Sequence, residues 1–305
     1  GSALAWFKLG HALHLQELHE EAEKAYRKAI ELDPSEYVIW KHLTTLLVDQ
    51  QRYGEAESSS RKIMEIAPDT AEPWQILGEI YHFQHRNEEA EQAYKKALEL
   101  EPYELNTLIN LGLVYNNQQQ FEKALELWET AVELNPDLID AWFWIGVIYL
   151  NQEKYERAEK AFKKVTELNN EHIDAWINLG NIYYGREDLE KAKQVWETIL
   201  SQVPDHTGVL TALSSIHLKQ GRLQEAKKAC EAALEHEPGL AIAWYNLACA
   251  NALEKDARSA IANLEQAFNL EATLVNNARE DSDFESIRQD SNFQSLMSKH
   301  AKEEN

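Results

Sequence analysis

The apolar residues of this chain recur at i, i+3 and i+7 through segments of helical length, as in Trp6, Leu9 and Leu13 or Trp176, Leu179 and Tyr183. That spacing is the buried stripe of an amphipathic helix, not the two-residue alternation of a strand. Sliding the chain against itself by 34 residues aligns WFKLGHAL at Trp6, WQILGEIY at Trp74, WFWIGVIY at Trp142, WINLGNIY at Trp176 and WYNLACAN at Trp244 without a gap. Units then start at Ala3, Tyr37, Ala71, Leu105, Ile139, Ile173, Thr207 and Ala241, and the eighth ends at Leu274. A period of this length predicts helix-turn-helix units stacked so that each buries its apolar face on its neighbours.

Numbering each unit from its start, position 4 is Trp in six units and Leu108 or Leu210 in the others, and reads as the start of the buried face of a first helix. Position 8 is Gly10, Gly78, Gly112, Gly146 and Gly180, and position 20 is Ala in all eight units, from Ala22 to Ala260. Small residues there let two helices of a hairpin approach closely, while Tyr26, Tyr94, Trp128, Phe162 and Trp196 at position 24 supply bulk. Position 32 is Pro in six units, where it stops the second helix. The combined pattern, W-x2-L-G-x2-Y, then A-x3-aromatic, then A and P, resembles the tetratricopeptide repeat over residues 3–274. The resemblance implies an all-α fold, a right-handed α-solenoid of eight repeats.

Thr44 and Ser60 in the second unit, and Ser214, His217 and Cys230 in the seventh, depart from the pattern and predict looser hairpins. Asn170 and Ala272 replace Pro at two boundaries. Residues 275–305 leave the register. Ser282 with Glu285, and Ser291 with Gln294, have capping-box spacing and predict two short helices, with Phe284, Ile287, Phe293, Leu296 and Met297 covering the open face of the eighth unit, followed by a tail. Gly1-Ser2 reads as an expression scar.

Charge narrows the function. The 30 Lys and Arg against 52 Asp and Glu leave a net charge of -22, which disfavours nucleic acid and anionic membrane surfaces as partners. The longest apolar run, Ala141–Leu150, is too short to cross a bilayer, and two Cys make no disulfide framework, so the expected compartment is cytoplasmic. No G-x-S-x-G, Walker or H-E-x-x-H motif is present. His11 with His14, and His82 with His85, have i, i+3 spacing but no accompanying carboxylate or thiolate cluster, and Cys230 reads as a packing residue with Cys249 in the groove. The expectation is therefore no catalytic residue, no cofactor and no metal: not an enzyme.

The tetratricopeptide resemblance implies a concave groove faced by positions 2, 5, 6, 9, 12 and 13 of each unit. Position 6 carries Asn110, Asn178 and Asn246, with Asn181 at position 9. A side-chain amide both donates to and accepts from a peptide backbone, and the row is similar to the asparagine ladder of the repeat arm in O-GlcNAc transferases, with three rungs. Trp144, beside Phe143 and within reach of Tyr184, is expected to form an apolar anchor in mid-groove. Lys8, His11, His14, Lys41 and His42 make the first two units basic against Asp49, whereas Glu72, Glu79, Asp140 and Asp174 make the middle acidic. The carboxylate clamp of co-chaperone repeats is absent, since Lys41 is followed by Thr45, Ile76, Asn106 and Asn110. The expected function is a non-catalytic protein-protein interaction scaffold that binds an extended peptide or a partner helix. The alternatives are a recognition arm cut from a larger enzyme, and self-association through the first unit.

Overall fold

The computed structural model describes residues 1–300; residues 301–305, the end of the expected capping segment and tail, lie outside the described residues. Sixteen helices of similar length follow one another: α1 (Ala3–His14), α2 (His19–Leu32), α3 (Tyr37–Asp49), α4 (Tyr53–Ile66), α5 (Glu72–Phe83), α6 (Asn87–Leu100), α7 (Leu105–Asn117), α8 (Phe121–Leu134), α9 (Ile139–Asn151), α10 (Tyr155–Leu168), α11 (Ile173–Gly185), α12 (Leu189–Gln202), α13 (Thr207–Lys219), α14 (Leu223–His236), α15 (Ala241–Leu253) and α16 (Ala257–Leu270). The described residues form no β-strand. Packing divides the chain into two units, Gly1–Ala161 and a second that begins at Phe162. Within the first, α1 packs on α2, α3 on α4, α5 on α6 and α7 on α8, and the first helices touch in succession, α1 on α3, α3 on α5 and α5 on α7. Within the second, α11 pairs with α12, α13 with α14 and α15 with α16, and α13 touches α15.

Hairpins close on a volume exchange between positions 8 and 24. A Cβ added to Gly112 would lie 2.3 Å from Nε1 of Trp128, and one added to Gly180 would lie 2.0 Å from Nε1 of Trp196. These glycines are sockets for the rings opposite them. Trp128 is fully buried, and its indole N–H donates to the carbonyl of Ile109 at 3.1 Å. Where the ring is missing the socket is filled instead: Thr44 faces a unit with Ser60, Ser214 one with Cys230, and Ala248 one with Leu264, all six at 0% exposure. Thr44 Oγ1 donates to Ser59 Oγ at 2.7 Å, Ser60 Oγ to the Pro73 carbonyl at 2.9 Å, and Ser214 Oγ to the Thr211 carbonyl at 2.6 Å. The looseness expected of the second and seventh units is not found at these positions, because one side of the hairpin grows where the other shrinks. What remains unsatisfied in the seventh unit is the pair His217 Nδ1 and Gln220 Oε1, both buried without a partner among the described residues.

Position 4 also differs from expectation. Trp40, Trp142, Trp176 and Trp244 are only partly buried. Their indole N–H groups donate to the carbonyls of Pro34, Pro136, Asn170 and Pro238, six residues earlier, at 2.8–3.0 Å. These rings staple the turn between repeats, and Asn170 serves as well as Pro because only its carbonyl is used.

The turn inside each hairpin places position 15 in the left-handed region in all eight repeats: Glu17, Gln51, His85, Gln119, Glu153, Glu187, Gly221 and Lys255, with φ from 57° to 69°. In this geometry the following N–H reaches back to the preceding helix, as Arg86 N does to the Tyr81 carbonyl at 2.8 Å. Only Gly221 is a glycine, so seven repeats hold a side chain where it is sterically disfavoured. Gln119→Gly is expected to stabilise the chain by about 0.5–1 kcal/mol, read as a higher urea midpoint at constant slope; an unchanged or lower midpoint would show the turn to be strain-free.

After α16 the chain forms a short helix, α17 (Leu274–Glu280), a 3-10 helix (Ser282–Ile287) and α18 (Ser291–His300). The predicted capping boxes are replaced by aspartates one residue earlier. Asp281 accepts from Asp283 N at 3.0 Å, and Asp290 accepts from Asn292 N at 2.8 Å. A carboxylate at that position already meets the exposed amides of the first turn, so Ser282 and Ser291 fall inside the helices. Phe284, Ile287, Phe293 and Leu296 join one core cluster with Tyr245, Leu264 and Phe268, and Met297 packs at its edge.

Candidate peptide-binding face

In the first helices, positions 2, 6, 9 and 13 stand at i, i+4, i+7 and i+11 and share one stripe. On α5 that stripe is Glu72, Ile76, Glu79 and Phe83; on α11 it contains Asp174, Asn178 and Asn181, with Tyr184 beside it. None of these eight side chains is fully buried.

Two hollows lie along this face in the first unit. One, of about 590 Å³, is walled by His11, His14, His19, Lys41, His42 and Asp49. Its charges are largely paired within the protein: His14 Nε2 lies 3.0 Å from Asp49 Oδ2, and Lys41 forms an ion pair with Glu72. Burial, aided by His11, Lys41 and His14, lowers the pKa of His42. The free basic end expected from the sequence is thus partly neutralised, and Lys41 is bound to a carboxylate of the next repeat.

The other hollow, of about 560 Å³, lies across α3, α5 and α7 and is lined by Val48, Ile76, Glu79, Phe83, Tyr94 and Asn110, among others. Phe83 is 55% exposed and stacks on Tyr53 with ring centroids 6.1 Å apart. Burial, with Glu104 nearby, raises the Glu79 carboxyl above its ordinary pKa. Burial and the neighbouring His85 lower that of His82, whose Nδ1 is buried without a partner. Asn110 lies beside the Tyr94 hydroxyl, whose pKa is raised by burial. The sequence marks Glu79 and Asn110 as groove residues and Tyr94 as core bulk; Tyr94 is indeed buried, and it also forms part of the wall of this hollow.

The remaining candidates fall into different surroundings. Trp144 is half-buried and stacks on Trp128, ring centroids 6.0 Å apart and 21° between planes, with Phe143 edge-on at 5.7 Å. It is a packing residue on one side and an open surface on the other. Asp140 is exposed in the same helix. Tyr184 belongs to the second unit, where it tilts against Trp196 at 5.7 Å and carries Lys219 Nζ 4.4 Å above its ring. Asn178 donates to the carbonyl of Asp174 at 2.9 Å, one turn back on its own helix, and Asn181 and Asp174 are exposed.

Asn246 corrects the ladder. It is 7% exposed, and its amide nitrogen donates to Ser214 Oγ at 2.8 Å, Ser215 Oγ at 3.0 Å and the Thr211 carbonyl at 3.3 Å. It ties α15 to α13 and is not an open rung. Cys249, also expected in the groove, is 2% exposed, and its thiol pKa is raised by burial. The 3-10 helix packs on α15, so the chain itself covers that surface. Cys249 Sγ and one oxygen each of Asp281 and Asp283 lie within 4.8 Å of one another, the one grouping of this kind among the described residues. Asp281 there accepts from the Tyr245 hydroxyl at 2.8 Å.

Stacked helical hairpins with an open face along their first helices define a helical repeat protein built for contact. Tetratricopeptide repeat models match residues 3–36, 149–216 and 211–268, and the cytochrome c-type biogenesis protein H TPR domain matches residues 60–171. The chain belongs to the tetratricopeptide repeat family. The family is generally one of protein-interaction scaffolds. No curated protein matches the chain. Among solved structures, YrrB, described as a TPR protein with an unusual peptide-binding site, is 28% identical over 62% of this chain and 98% of its own, with a TM-score of 0.53. The C-terminal part of a repeat protein from Cytophaga hutchinsonii is 15% identical over 82% of this chain and 100% of its own, with a TM-score of 0.67. One from Parabacteroides merdae is 18% identical over 87% and 98%, with a TM-score of 0.55. No helix of the described residues is long and apolar enough to cross a membrane.

Proposed function

We propose that the chain is a non-catalytic scaffold that holds an extended peptide, or one face of a partner helix, against its first helices. The observation that carries this reading is the open polar-and-aromatic stripe, which on α11 presents Asp174, Asn178 and Asn181 together. Amides at a half-exposed face have no packing reason to be there and can hold a peptide backbone by paired donor and acceptor. The peptide-binding site named for YrrB points the same way. Trp144 is the apolar anchor of the first unit, although its stacking on Trp128 gives it a second, structural role.

Asn178→Ala with Asn181→Ala is the cleaner test, because neither residue holds two helices together. Each substitution is expected to weaken partner binding by about 1 kcal/mol, with the melting temperature nearly unchanged. Partners captured from a native extract by the wild-type chain, identified by mass spectrometry, are then titrated against both variants. Equal affinity for wild type and the double variant would remove this face of α11 from the binding surface.

A further inference from the structure

Glu79 stands alone in the hollow across α3, α5 and α7. The other carboxylate in its wall, Asp49, is held by His14 at 3.0 Å, whereas Glu79 forms no hydrogen bond or ion pair among the described residues. Among the described residues no Lys or Arg lines the hollow, and Lys41 of the groove is engaged with Glu72. The wall around the carboxylate is mixed: Ile76, Val48 and the exposed ring of Phe83 form its apolar part, and Thr45, Gln51, His82, Asn110 and Tyr94 add uncharged polar groups. A partly buried, unpaired carboxylate is unfavourable in the free protein and is relieved by a cation that brings its own hydrogen-bond donors. A metal ion fits less well, since no second carboxylate, histidine or thiolate pair converges with Glu79 as Asp281 and Asp283 do with Cys249 among the described residues.

We propose that this hollow is a subsite for a basic side chain, lysine or arginine, of the bound peptide, with Glu79 as its counter-charge and Phe83 and Ile76 covering its methylene stem. The proposal rests on the groove reading above and narrows its ligand to peptides with a cationic residue. The volume of about 560 Å³ is ample for such a side chain, and the aliphatic part of Lys or Arg is suited to an apolar wall with a charge at its end. The raised pKa of Glu79 fits the same picture. A folded-state pKa above the unfolded value means that stability is fully present below the unfolded pKa and is lost as pH rises through the folded one. The ionised carboxylate is therefore a cost to the free fold near neutral pH, and Glu79→Gln is expected to melt at or above the wild-type temperature.

The test uses the full chain and four libraries of undecapeptides with random flanks and a fixed centre of Lys, Arg, norleucine or Glu. The wild-type chain is expected to retain the Lys and Arg libraries about tenfold more than norleucine, and the Glu library least. Glu79→Gln brings Lys and norleucine to parity. Glu122→Gln, which removes the same charge from the exposed surface of α8, leaves the preference intact. Parity in the wild type, with all libraries retained and retention lowered by the α11 double variant, would overturn the Glu79 subsite and leave the groove standing. Retention of no library would overturn the groove reading and the subsite with it. An equal loss of preference in Glu79→Gln and Glu122→Gln would assign the effect to overall acidity, and a melting temperature well below wild type in Glu79→Gln would make the residue structural; either overturns the proposal.

Discussion

Gly112→Ala is expected to destabilise the chain by about 3 kcal/mol, more than most surface substitutions by a wide margin. The added methyl would meet three atoms of the Trp128 indole at 2.3–2.9 Å, and that ring has no exposed side toward which to move. The same exchange makes a stricter test in the second repeat. Ser60→Tyr alone overfills a socket occupied by Thr44 and removes the hydrogen bond to the Pro73 carbonyl, while Thr44→Gly alone leaves a void and strands Ser59. Together they recreate the glycine-tyrosine pairing of the first and third repeats, where Gly10 faces Tyr26 and Gly78 faces Tyr94. The double variant is expected to be about 2 kcal/mol more stable than the sum of the single variants predicts. Urea unfolding of all four proteins measures the coupling. Additivity within about 0.5 kcal/mol would show that positions 8 and 24 do not trade volume.

Such pairs explain which parts of the fold the sequence made legible. Repeat phase follows from side-chain volume and periodicity, both of which are written in residue types, so the hairpins and their starts could be read directly. The left-handed turn residue could not: glutamine, glutamate, histidine and lysine occupy it in seven repeats, and no local preference of theirs signals positive φ. A large apolar indole at position 4 predicts core, but the N–H groups of Trp40, Trp142, Trp176 and Trp244 need an acceptor, and the carbonyl six residues back draws these rings to the edge. At the binding face, the residue types at positions 6 and 9 were visible and their environment was not. Asn178 and Asn246 are the same residue at the same repeat position, yet one is half-exposed and the other is held by Ser214 and Ser215. What separates them lies outside the repeat: serines on α13, and a C-terminal segment folded over α15. Glu79 illustrates the converse, since it lacks a partner among the described residues while Lys41 is engaged with Glu72.

Deleting residues 281–305 is expected to have the largest effect on the intact chain, because the segment supplies four large buried side chains, Phe284, Ile287, Phe293 and Leu296, to the core of the eighth repeat. Phe284 is at 0% exposure and meets Tyr245 edge-on, with centroids 5.5 Å apart; Phe293 tilts against it at 6.1 Å. Two polar ties fix the segment in register: the Tyr245 hydroxyl donates to Asp281 at 2.8 Å, and Ser286 Oγ donates to the Ala252 carbonyl at 2.8 Å. Burying one large apolar side chain is worth about 1.5–3 kcal/mol, and four such side chains leave together with 281–305. The exposed face of α15 and α16 would then be an apolar patch that drives association. The truncated chain is expected to aggregate or to melt at a markedly lower temperature. Phe284→Ala, expected to cost about 3–5 kcal/mol, separates packing from mere length, and Phe83→Ala serves as its contrast because that ring is 55% exposed. Since each repeat leans only on its neighbours, the damage need not spread evenly. Amide exchange should therefore rise first in α15 and α16 and last in the repeats farthest from them in sequence. A truncated protein that stays monomeric, with unchanged melting and unchanged protection in α15, would show that the aromatic contacts of Phe284 contribute nothing to holding the eighth repeat closed.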